Sequence, residues 1–93
     1  MKAVWNNVTI AESNNTVEVE GNHYFPLSAI KPVFFSDSAH TTTCGWKGLA
    51  NYFNIEVDGK TNHNAAWIYK TPSDAASQIK NHVAFWKGVV VSQ

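Results

Sequence analysis

Cys44, Lys47 and Glu20 are the side chains whose types and settings could do chemistry together. Two of them lie in Thr43-Cys44-Gly45-Trp46-Lys47-Gly48, where a thiol, an indole and an ammonium fall within four residues. A lysine three residues from a cysteine can lower the thiol pKa and make a better nucleophile, and His40 upstream is a second group that could activate it. Gly45 and Gly48 allow close backbone approach and can present N–H groups to a ligand. The plainer reading makes Cys44 a small buried hydrophobe and Lys47 a surface charge. That reading is favoured, because a reactive thiol needs an electropositive setting and no strong base is fixed beside Cys44.

Glu18 and Glu20 form a carboxylate pair at strand spacing, as on the solvated face of an amphipathic strand. Glu20, at the strand end beside Gly21, is the better candidate for meeting a ligand. Trp46, Trp67 and Trp86, with Tyr24 and Tyr69, could wall an aromatic pocket, although Trp86 reads as core. The expectation is that Glu20, Tyr24, Cys44, Trp46, Lys47, Trp67 and Tyr69 surround one concave site. Conventional signatures are absent: no Gly-x-Gly-x-x-Gly, no Walker-type loop, no Cys-x-x-Cys. The four His do not fall at zinc-ligand spacing. No metal and no cofactor are expected.

The rest of the chain must position these groups with little material. Its 93 residues amount to a single domain, residues 1–93, with a thin core. Four Trp, three Tyr and five Phe must supply much of the packing, each buried ring removing about 150–250 Å² from water. Cys44 is the only cysteine, so no internal disulfide forms and a reducing, cytoplasmic setting is expected. The formal net charge is zero, and all seven cations are Lys. Without Arg, the usual reader of phosphates and guanine edges, nucleic acid is not an expected partner. Nothing reads as a signal peptide, since Asn6-Asn7 interrupts the first apolar run. No apolar stretch approaches the roughly 20 residues of a membrane helix, so no membrane partner is expected. A homo-oligomer is compatible with the sequence.

The pattern along the chain is that of short strands and turns. Val4 to Ala11 reads as a strand broken by Asn6-Asn7. Thr16 to Glu20 alternates, with Val17 and Val19 on one face. Gly21-Asn22 is a turn, followed by extended His23-Tyr24-Phe25. Pro26 and Pro32 leave room for one helical turn between them. Asp37 to Thr43 is polar and reads as loop. Leu49 to Val57 alternates again and ends at Asp58-Gly59, the strongest hairpin signal. After a polar stretch, Ala65 to Tyr69 is a strand. Thr71 can cap a helix with Pro72 at its first position, and Asn81 can end it in the left-handed conformation. Val83 to Val91 closes the chain as one strand. Six or seven strands with short connections imply a mainly β domain, two packed antiparallel sheets, with one short helix near residues 72–80.

Several of these segments together resemble a known family. They are Glu20-Gly21-Asn22-His23-Tyr24-Phe25-Pro26; Ser38 through Thr43-Cys44-Gly45-Trp46-Lys47-Gly48 to Tyr52; Ala65-Ala66-Trp67-Ile68-Tyr69 with Pro72; and Ile79 to Phe85. In this order they resemble domain-of-unknown-function family 427 over nearly the whole chain. The family commonly reads Cys-Pro-Trp-Lys-Gly, and Gly45 here replaces the Pro. The resemblance implies a fold similar to the β-tent group, which includes methionine sulfoxide reductase B and the thalidomide-binding domain of cereblon. Many of that group hold zinc through Cys-x-x-Cys pairs, which this chain lacks. The family also carries a nucleotidyltransferase-like label. Nucleotidyl transfer usually needs carboxylates holding divalent metal and cationic phosphate contacts; here Glu18, Glu20 and Lys47 would stand nearly alone.

Three classes of function follow. One is a module binding a small-molecule ligand, with Trp46, Trp67 and Tyr69 as walls and Glu20 and Lys47 as polar anchors. The second is an enzyme, with Cys44 as nucleophile activated by Lys47 or His40 or with nucleotidyltransferase-like activity. The third is an interaction module presenting an aromatic surface.

Overall fold

Four two-residue turns with positive φ at both positions shape the chain: Asn6-Asn7, Glu20-Gly21, Asp58-Gly59 and Lys87-Gly88. Such turns match the right-handed twist of flanking strands, and Asn, Asp and Gly reach the left-handed region at least cost. A computed structural model describes residues 1–93. Its strands are β1 (Lys2–Trp5), β2 (Val8–Glu12), β3 (Val17–Val19), β4 (Asn22–Pro26), β5 (Phe35–Cys44), β6 (Gly48–Val57), β7 (Lys60–Ile68), β8 (His82–Phe85) and β9 (Val90–Ser92). Asn6-Asn7 joins β1 to β2, Glu20-Gly21 joins β3 to β4, and Asp58-Gly59 joins β6 to β7. Lys87-Gly88 instead hands the chain from one sheet to the other.

The two sheets are antiparallel, ordered β2-β1-β9 and β3-β4-β8-β7-β6-β5. The expected mainly β, two-sheet architecture is the one observed. Register decides what each face of the larger sheet carries, because side chains alternate along a strand and directly opposed residues share a face. Asp37 opposes Phe53, Phe53 opposes Ala66, and Ala66 opposes Phe85. This face, with Phe25, Ile68 and Val83, packs on Ala3, Ile10 and Ala11 of the small sheet to make the main core. On the other face Tyr52 opposes Trp67, which opposes Ala84. There a second core gathers Val19, Tyr24, Ala50, Tyr69, Ala76, Ile79 and Ala84.

Several local expectations are corrected. Asp37 to Thr43 is not loop but most of edge strand β5, which is largely exposed and bulges between Asp37 and Thr41. A strand with solvent on so much of its surface needs no apolar alternation, so its polarity mimics a loop. The polar residues 60–64 likewise begin β7. Val83 to Val91 is two strands in different sheets, β8 and β9. The total is nine strands, and the turn after β3 is Glu20-Gly21, one residue earlier than expected. The short helix near 72–80 is a 3-10 helix, Asp74–Ile79, preceded by Ser73 in the capping position with Pro72 and Thr71 outside it. Asn81 follows it in the left-handed region, as expected. Ala76 and Ile79 turn inward onto the second core.

Candidate functional site

The hairpin between β5 and β6 carries the site's charged centre. Cys44 opposes Gly48, leaving Gly45, Trp46 and Lys47 as the loop. Two contacts hold this loop against the segment before the 3-10 helix. The Ser73 amide donates to the Lys47 carbonyl at 3.0 Å, and the Ser73 hydroxyl donates to the Trp46 carbonyl. Gly48 has φ +109°, a backbone conformation that other residues rarely adopt, although an added Cβ would make only ordinary contact with the Pro72 Cα and Thr71 carbonyl oxygen at 3.6 Å. The chain can therefore leave Lys47 and enter β6 only with glycine's freedom at this point.

Anchored this way, Lys47 is buried, at 7% exposure. This corrects the expectation of a surface charge. Its ammonium donates to Glu20 Oε1 and stands 5.3 Å from the Trp46 ring centroid and 5.7 Å from that of Tyr69. Glu20 reaches it because its backbone is left-handed, φ 53°, which turns the chain at the end of β3 rather than continuing the strand. Burial acts most strongly on the Lys47 pKa and lowers it. The hydrogen bond and charge of Glu20, with Tyr24 and Tyr69, together outweigh burial, so the pKa lies above the ordinary lysine value. The hydrogen bond from Lys47 holds Glu20 below the ordinary carboxylate value, against a smaller opposing desolvation. Burial raises the Tyr69 pKa, with Lys47 opposing. At neutral pH the group is therefore an ammonium, a carboxylate and a neutral phenol.

Aromatic side chains of the same sheet face surround the ammonium. Tyr24 is fully buried, and its hydroxyl accepts from Trp67 Nε1 at 3.2 Å. The two rings meet edge to face, centroids 6.3 Å apart, and Tyr24 also lies 6.5 Å from Tyr69. Trp67 meets Trp86 edge to face at 6.0 Å, while Trp86 Nε1 donates to the Asn64 carbonyl at 2.6 Å. Between them is a cavity of about 190 Å³ lined by Lys47, Tyr52, Trp67, Tyr69 and Trp86.

Of the seven residues expected around one site, Lys47, Trp67 and Tyr69 line this cavity. Tyr24 supports Trp67 from below. Glu20 and Trp46 contact Lys47 from outside the lining. Cys44 is half-buried and packs against the second core. Tyr52 lines the cavity without having been expected to, and so does Trp86, a possible pocket wall that read as core. The Leu49–Val57 alternation already set Tyr52 on the face of Ala50, which is the signal that could have found it. Trp86 is 46% exposed rather than core, because β8 ends at Phe85 and the chain turns away. His40 is exposed and lies against Tyr52, ring centroids 4.7 Å apart. Glu18 is exposed on β3 opposite His23, away from the ammonium that Glu20 meets. No three His, Cys, Asp or Glu side chains converge into a metal-ligand set. No helix is long and apolar enough to cross a membrane.

The family model for a domain of unknown function, DUF427, matches residues 1–92. The chain belongs to this family. The nucleotidyltransferase-like label is only the name that family model carries. None of the curated proteins compared with the chain matches it.

Proposed function

We propose that this member of the DUF427 family is a binding module for a small planar molecule bearing a carbonyl or carboxylate oxygen, held in the aromatic cavity with that oxygen on Lys47. One observation carries the reading: a buried ammonium borders an aromatic-walled cavity with one hydrogen bond, to Glu20. An ammonium has three donors, so two remain for a ligand acceptor. The Trp67, Trp86 and Tyr52 rings offer apolar faces and edges to a flat ring. About 190 Å³ suits a fragment-sized heterocycle rather than a nucleotide, being below the usual range of about 300–1,000 Å³ for drug-sized ligands. Glu20 keeps the amine charged and aimed. A partner of this kind, without nucleic acid, is also what a chain with no Arg favours.

The reading is preferred to covalent catalysis because the groups that would activate Cys44 are engaged elsewhere. The Lys47 ammonium is held by Glu20 and two aromatic rings, and the His40 ring lies against Tyr52. A metal-dependent nucleotidyl transfer would need converging carboxylates, whereas Glu20 is spent on Lys47.

The test is ligand-observed NMR with a panel of small planar lactams and aromatic carboxylates, in wild type and Lys47→Met. Saturable binding that quenches tryptophan fluorescence and is lost in Lys47→Met is expected. An inert panel, or binding indifferent to Lys47→Met, would refute the reading.

A further inference from the structure

A second, larger concavity lies on the opposite face of the six-stranded sheet. Ile68 precedes Tyr69 and follows Trp67, and Phe53 follows Tyr52, so strand alternation places Phe53 and Ile68 away from the aromatic cavity. They floor a cleft of about 490 Å³ whose lip is formed by Leu27 and Pro32 of the connection between β4 and β5. This volume falls within the range of small-molecule sites, about 300–1,000 Å³.

The cleft's polar groups are Asp37, Lys70 and Asn81. Lys47–Glu20 is the chain's one ion pair, so Asp37 and Lys70 border the cleft without an ionic partner. They stand at different ends. Asp37 is on β5, opposed to Phe53. Lys70 lies beyond the end of β7, and Asn81 is tied beside it by its amide, which donates to the Tyr69 carbonyl at 3.0 Å. Asp37 lies in register with Phe53 and, across β6, with Ala66, and Lys70 is four residues further along; two strand spacings across and about 13 Å along the strand set the two ends about 16 Å apart.

A singly charged ligand would be attracted at one end and repelled at the other. A dipolar ligand gains at both, and its middle must be apolar to lie on Phe53 and Ile68. We infer that this cleft binds a short hydrophobic peptide with free termini, its ammonium at Asp37 and its carboxylate at Lys70 and Asn81. An extended tripeptide spans about 10 Å, and a contact of about 3 Å at each charged end brings the total to about 16 Å, which fits the separation of the two ends.

The experiment is a heteronuclear NMR titration with the tripeptide of leucine, alanine and leucine, in free, N-acetylated and C-amidated forms. The proteins are wild type, Asp37→Asn, Lys70→Met and Lys47→Met. Both cleft charges are exposed, so their variants retain the wild-type spectrum elsewhere. The free peptide is expected to shift the amides of Phe53, Ile68 and Lys70. Acetylation should weaken binding about threefold in wild type and not in Asp37→Asn, as for a solvent-facing ion pair. Amidation should do the same in wild type and not in Lys70→Met. Lys47→Met should bind normally, which separates this cleft from the aromatic cavity. No shift at roughly 10 mM peptide, equal binding of all three forms, or shifts at Trp67 and Trp86 instead would overturn the proposal. So would shifts at the cleft that grow with protein concentration alone and track a dimer in sedimentation, which would make a second copy the occupant.

Discussion

Tyr24→Phe tests how the aromatic cavity is held open. The substitution removes one oxygen and keeps the ring, so the edge-to-face contact with Trp67 at 6.3 Å should survive while the 3.2 Å hydrogen bond from Trp67 Nε1 is lost. A hydrogen bond of this kind contributes about 0.5–1.5 kcal/mol net, and leaving a donor unsatisfied where water cannot reach it adds to that. Trp67 is only half-buried, so its freed indole N–H recovers some hydration. The expected cost is about 1 kcal/mol. For a domain of this size that lowers the melting temperature by roughly 4–8 °C. Urea unfolding should show the midpoint falling with the slope unchanged. A double-mutant cycle with Trp67→Phe isolates the bond, with coupling near the full 1 kcal/mol expected. A cost within a few tenths, or zero coupling in the cycle, would refute the claim that Tyr24 positions Trp67. Tyr24→Ala, by contrast, should cost about 3–5 kcal/mol through the cavity it opens, enough to unfold much of a small domain.

Three further outcomes follow from the same geometry. Because the folded pKa of Glu20 is depressed, its stabilising contribution is present above the ordinary carboxylate pKa of about 4.3 and is lost as pH falls through the lower folded value. Lys47 and Tyr69 have raised values, so their contributions are present below about pH 10 and vanish as pH rises through the folded values; the melting temperature should fall beyond each of these limits, with Glu20→Gln weakening the acid arm. Gly45 has free space at its Cβ position and no left-handed φ, so Gly45→Ala should stabilise by about 0.4–1 kcal/mol, read as a higher melting temperature. Gly48→Ala should destabilise by at least about 1 kcal/mol, because φ there is +109°, and should loosen Lys47 from Glu20, read as a Glu20 carboxyl that titrates closer to its ordinary value.

The strands legible in the sequence were those with one dry face. Val17 to Val19 alternates because one side meets a core and the other meets water, and the end of Leu49 to Val57 does the same, with Ile55 and Val57 buried about exposed Glu56. Edge strand β5 has no such contrast over Asp37–Thr43, and the first half of β7 repeats the problem, so polarity there carried no period to read. Val83 to Val91 failed for the opposite reason. Its apolar residues run on past Trp86, but Lys87-Gly88 turns the chain and divides the apolar run between two sheets. The turn residues held more information than the apolar ones, since Asn6-Asn7 marked a hairpin and not merely an interruption.

The candidate site was legible as chemistry but not as depth. Thr43-Cys44-Gly45-Trp46-Lys47-Gly48 pointed to the loop that carries the buried ammonium, yet a lysine between a tryptophan and a glycine looks like a surface residue. What buries it lies elsewhere in the chain: Tyr69 just past the end of β7, Ser73 before the 3-10 helix, and the exposed Glu20, brought over it by a left-handed backbone. Each is more than twenty residues away, so no local pattern reports the burial. The same register explains why the second cleft went unread. Phe53 and Ile68 alternate with Tyr52 and Trp67, so the strands that face an aromatic cavity on one side must present another surface on the other. Alternation shows that such a surface exists. Only the path of residues 27–35 across it, which two prolines and two short helical turns set, leaves it concave rather than filled.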